Sequence, residues 1–146
     1  MNIYKNIQQV FVAFTFLYAS AVFSEEISIT GGSYEAHDAA LEGLDVLVDG
    51  VEVLIKGDVS FNSLRIINGG SIKLDIGIAN NINLTVNSDA FIGSSWVARQ
   101  LNLNIFGDLT VKEAILTLEG GSLISGTGLS VINSSLVLDL STITIQ

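Results

Sequence analysis

Residues 44–62 read L-D-V-L-V-D-G-V-E-V-L-I-K-G-D-V-S-F-N. Three short runs of alternating apolar residues lie in this stretch: Val46 and Val48, then Val51, Val53 and Ile55, then Val59 and Phe61. Asp45, Asp49, Glu52, Lys56, Ser60 and Asn62 fall between them. A period of two puts one set of side chains on a buried face and the other in water, which is the pattern of a short strand. Gly, Asn, Asp and Ser separate the runs, as they do where a chain turns.

The pattern recurs. Val48, Ile67, Val86, Ile105, Ile124 and Ile143 stand nineteen positions apart, and Gly50, Gly69, Ser88, Gly107 and Gly126 form a second column at the same spacing. The copies are residues 44–62, 63–81, 82–100, 101–119 and 120–138, with a fragment from 139 to 146. Three strands per copy predict a single-stranded parallel β-helix of about five to six 19-residue rungs, with like residues stacked about 4.8 Å apart. In that reading the β-branched column is an internal ladder and the glycine column a corner needing positive φ. Asn68 and Asn87 are expected to stack at that corner. The second strand falls at Val53/Ile55 and Ile72/Leu74, but one residue earlier at Ala90/Ile92 and Leu109/Val111, which calls for a bulge or a changed corner. The alternative all-β fold is a β-sandwich.

The flanks read differently. Met1 to Ser24 has a positive Lys5, an uncharged apolar run from Val10 to Phe23, and small-residue cleavage sites after Ala21 or Ser24. It is expected to be a secretory signal, too short in its apolar part to span a bilayer, so no transmembrane segment is expected after cleavage. Residues 25–43 should form an N-terminal strand (E-E-I-S-I-T) and a short capping helix, with Ser33 as N-cap and Gly43 as stop. The solenoid then occupies residues 44–146.

Composition limits the chemistry. The 146 residues contain no cysteine and no proline, so disulfides and thiolate sites are excluded. The net charge is −9, and −10 without the signal, which makes nucleic acid and anionic lipid poor partners. His37, the only histidine, lies beside Asp38 and reads as a surface residue. No phosphate loop, G-x-S-x-G or metal-binding His spacing is present. Asp89 and Asp108, one copy apart, are the best pair for an ion or for acid–base work on a sugar, yet acidic turn residues are ordinarily solvated corners. Trp96, the only tryptophan, reads either as a packed strand-end residue or as an exposed sugar-stacking ring.

Rung length and composition over residues 44–145 resemble the β-helical passenger regions of bacterial surface adhesins, namely filamentous haemagglutinin-like exoproteins and autotransporter passengers. The chain departs from them in lacking the Asn-Pro motif of the former and the membrane barrel of the latter. The resemblance implies a right-handed solenoid at the bacterial cell surface, or secreted, with adhesion or matrix roles, no cofactor, and host or matrix glycans or proteins as partners. The sequence therefore points first to a secreted, non-enzymatic adhesion or matrix element. Second comes a subunit that self-associates through its last rung, where Leu140–Gln146 carries no side-chain charge. Third comes a carbohydrate-active enzyme using Asp89 and Asp108.

Overall fold

The computed structural model describes residues 26–29, 41–74 and 81–146. The expected signal, His37, Asp75 and the segment expected to form the capping helix lie outside these residues. All regular structure among the described residues is β. A single strand, β1 (Glu26–Ile29), precedes the rungs. The first rung is β2 (Asp45–Asp49), β3 (Glu52–Ile55) and β4 (Val59–Phe61), and the second is β5 (Ser63–Ile67), β6 (Ser71–Leu74) and β7 (Ile82–Val86). The third is β8 (Ala90–Ile92), β9 (Trp96–Arg99) and β10 (Leu101–Ile105). The fourth is β11 (Asp108–Lys112), β12 (Ile115–Glu119) and β13 (Ser122–Ser125). The fifth is β14 (Gly128–Ile132), β15 (Ser135–Asp139) and β16 (Thr142–Ile145). Every strand pairing is parallel and joins one rung to the next, so the chain is a β-solenoid.

Three walls result. The first is β1-β2-β5-β8-β11-β14 and the third is β4-β7-β10-β13-β16. The second wall has two parts, β3-β6 and β9-β12-β15. Inward residues of the walls meet in one core that includes Val46, Ile66, Ile72, Leu84, Leu103, Leu116 and Leu123. A lone rung has nothing beneath it to bury against, so stability comes from rung-to-rung contact. No helix of the described residues is long and apolar enough to cross a membrane.

The rungs are not of constant length. Leu64 follows its partner Val46 by 18 positions, Ala90 follows Leu64 by 26, Leu109 follows Ala90 by 19, and Leu129 follows Leu109 by 20. The long rung takes its extra residues between β6 and β7: Ile72 to Leu84 is 12 positions, where Val53 to Val59 is 6. This corrects the nineteen-residue ladder. Val48 and Ile67 belong to the first wall, where Val48 pairs with Ile66 and Ile67 points outward opposite Asp49. Val86 and Ile105 are true partners, but on the third wall. Ile105 then pairs with Ser125, and Ile124 points outward opposite Asn104. Ile143 pairs with Leu123. The apparent one-residue shift at Ala90/Ile92 and Leu109/Val111 needs no bulge, because these residues lie on the first wall with Leu64 and Ile66.

The glycine column divides in the same way. Gly50 and Gly69 have positive φ, at 67° and 84°, as a left-handed corner requires. Ser88, Gly107 and Gly126 do not share that conformation. At Gly126 the constraint is instead close approach, since a Cβ there would strike the Phe106 carbonyl oxygen of the rung below. Asn68 and Asn87 do not stack. The Asn68 amide donates to Asp49 (2.7 Å) and the Asn87 amide to Ser60 (3.1 Å), on different walls.

Val86 is fully buried and Asn87, its neighbour, is exposed. Val86→Asp should cost about 3 kcal/mol or more by burying a carboxylate without a partner, while Asn87→Asp should cost under about 0.5 kcal/mol. Urea unfolding of both variants checks this, and equal small effects would show that Val86 is not a core residue.

Candidate functional site

Asp89 and Asp108 are brought together at the corner between the third and first walls. The Asp108 backbone N–H donates to Asp89 Oδ1 (2.8 Å), and the Thr127 hydroxyl donates to Asp108 Oδ1 (2.5 Å). Each carboxylate thus receives a donor from the rung above it. The reason lies in the backbone: where the chain leaves a ladder at a corner, an N–H loses its strand partner and needs another acceptor. Asp58 does the same at the start of the third wall. It accepts the Asn83 backbone N–H at 2.8 Å and the Asn83 side-chain amide at 3.0 Å. The Asn83 N–H, and next its amide, hold the Asp58 carboxyl below the usual carboxylate range, against a smaller opposing effect of burial.

Asp89 and Asp108 also border a surface groove of about 540 Å³ on the first wall, which takes in Asp45, Arg65 and Phe91. Among the described residues no group of three or more His, Asp or Glu side chains could hold a metal ion. Trp96, the other candidate from sequence, packs inside. It is 2 % exposed, and its indole N–H donates to the Ile72 carbonyl at 2.6 Å. The Ser94 hydroxyl donates likewise to Gly70 (3.2 Å). These two bonds join the segments of β6 and β9, between which the second wall has no backbone ladder among the described residues.

The three walls differ in outer chemistry. The second wall carries Glu52, Lys73, Arg99, Glu119 and Asp139, and the first carries Glu26, Asp45, Asp49, Arg65, Asp108 and Lys112. Exposed ion pairs join strands of these walls, among them Arg65–Glu26, Lys73–Glu52 and Arg99–Glu119. Solvent screens exposed pairs of this kind, so they add little to stability. The five strands of the third wall contain no charged residue. Their outward positions form two columns in register. One is Asn83, Asn102, Ser122 and Thr142, and the other is Ser60, Thr85, Asn104, Ile124 and Thr144.

The first column is tied together by hydrogen bonds. The Ser122 hydroxyl donates to Asn102 (3.0 Å), the Asn102 amide to Asn83 (3.2 Å), and the Asn83 amide to Asp58. The second column is free where it matters for a ligand: the Thr85 and Asn104 side chains make no hydrogen bond among the described residues. A shallow depression of about 350 Å³ overlies Ser60, Asn83, Thr85 and Asn104, with Glu42 and Asp58 at its N-terminal end. None of these outward side chains is among the candidates that the sequence alone offers. The signal of this wall was available in L-N-L-N-I-F (101–106), where Asn102, Asn104 and Phe106 share one phase of the alternation.

Comparison with protein-family models, curated proteins and solved structures finds no match for the chain.

The lowered Asp58 pKa fixes a sign. A carboxyl with a depressed folded-state pKa contributes stability above its unfolded value, about 3.9, and loses it as pH falls through the folded value. Asp58→Ala should therefore lower the Tm at pH 6 and narrow the Tm difference between pH 6 and pH 3. A difference equal to that of the unaltered chain would show that the Asn83 contacts do not act on Asp58.

Proposed function

We propose that the chain is an exported, non-enzymatic recognition element of the cell surface or extracellular matrix, of the adhesin-like kind. The observation that carries this reading is the division of labour among the walls. Charge is confined to two of them, and the third offers ordered columns of neutral hydrogen-bonding side chains on a rigid scaffold. A binding surface made of rigid strands loses little entropy when a ligand docks. The aspartates best placed for acid–base work are engaged as caps for the next rung's donors. The N-terminal pattern of Lys5, an apolar run and small residues before Glu25 supports export. In cells that make it, protease added outside intact cells should degrade the protein, or the protein should be found in the medium. Detection only in a protease-protected internal pool overturns the reading.

A second reading, end-to-end association with another copy of this chain, is favoured by the fifth rung. Val131, Leu138 and Ile145 occupy inward positions, opposite Val111, Leu118 and Ser125, yet are 41 %, 45 % and 53 % exposed. The strands β14, β15 and β16 present open edges beside these side chains. They hold a single charged residue, Asp139, so the electrostatic repulsion between copies is least at this end. The mature chain should sediment as a dimer or larger species at high concentration, and replacing Ile143 and Ile145 together by Lys should return it to monomer with the earlier rungs intact. A monomer at all concentrations sinks this second reading.

A further inference from the structure

We propose that the third wall binds a neutral polysaccharide at a subsite built on the Phe106 ring, with Thr85, Asn87 and Asn104 taking sugar hydroxyls. Phe106 is 61 % exposed. It continues the outward phase of Asn102 and Asn104 just past the end of β10. Its backbone N–H donates to Val86 of the rung below, which fixes its register next to Asn87. Above it stands Gly126. The chain there passes so close to the Phe106 carbonyl oxygen that no Cβ fits, so the residue directly above Phe106 adds no side chain beside the ring. The result is an uncovered aromatic face at the end of an ordered polar row.

The groups around the ring suit a sugar. The apolar C–H face of a pyranose packs on an aromatic ring, while its hydroxyls both donate and accept. Side-chain amides and hydroxyls do both as well. The Asn104 amide and Thr85 hydroxyl have no partner among the described residues, and Asn87 uses one amide hydrogen on Ser60 (3.1 Å), which leaves its carbonyl oxygen and second hydrogen. The neighbouring column is held by the Ser122–Asn102–Asn83–Asp58 bonds, so the platform is ordered before a ligand arrives.

Charge selects the class of sugar. The wall itself is uncharged, Glu42 and Asp58 rim its depression, and the whole chain carries −9. An anionic polysaccharide would be repelled, and a neutral one would not. Successive rungs, about 4.8 Å apart, each place at least one outward amide or hydroxyl on this wall, so a polymer meets several rungs where a monosaccharide meets one. This assignment rests on the surface-recognition reading and names its ligand, but the two stand on separate tests: cell exposure for the former, polymer binding for the latter.

The test is depletion of the mature protein from solution by cellulose, chitin and starch granules, with affinity electrophoresis in gels containing dextran or galactomannan, and alginate as the anionic comparison. Retention by at least one neutral polymer is expected. Phe106→Ala should weaken it about tenfold, Phe106→Tyr should keep it, and Asn104→Ala should weaken it several-fold. Ile115→Ala, at a 49 % exposed site on the second wall, should leave it unchanged. Circular dichroism of each variant confirms that the solenoid is intact. Retention by no neutral polymer overturns the proposal, as does preference for alginate. Retention that survives both Phe106→Ala and Asn104→Ala overturns the assignment to this wall while leaving surface recognition standing.

Discussion

Each strand of this solenoid is held by its partners one rung before and one rung after, and by little else. The backbone bonds run along the axis, so the same contacts that satisfy the peptide groups also stack like on like through the core. That single constraint explains the alternation on every wall. A residue that slips by one position moves from the core to water, together with its whole strand. It also explains the corners, where a donor loses its ladder and takes an aspartate, a serine or a carbonyl from the adjacent rung.

The rung architecture was legible because alternation and turn residues are local signals that every rung repeats. The assignment of particular residues to particular walls was not. The β6–β7 connection is longer by six positions, one wall's share of a nineteen-residue rung. A column read at constant spacing consequently steps from the first wall to the third between Ile67 and Val86, and still lands on apolar residues. A later rung of twenty residues turns Ile124 outward without removing it from the column. Composition cannot report such a step, because most inward residues of all three walls are the same β-branched and leucine types. Only pairing separates them.

The binding surface was hidden for a related reason. Rarity drew attention to Trp96, but W-V-A-R allows either Trp96 and Ala98 or Val97 and Arg99 to face the core, and only the Ile72 carbonyl decides it. Phe106 is one of seven phenylalanines and sits in a run whose phase marks it as outward. Its neighbours acquire meaning only when three successive rungs are laid side by side. The uncharged third wall is likewise invisible along the chain, since its strands are separated in sequence by charged strands of the other two.

The gap in the second wall has a mechanical meaning. Between each other pair of successive rungs three backbone ladders share a load applied along the axis. Among the described residues only two do so between the second and third rungs, and the Trp96 indole and the Ser94 hydroxyl bond across the remaining side. Main-chain ladder bonds do not depend on side-chain chemistry, whereas the bonds at this joint come from two side chains. Among the described residues it is the one junction between rungs where a substitution, at Trp96 or Ser94, removes the bonds that join one side of the rod.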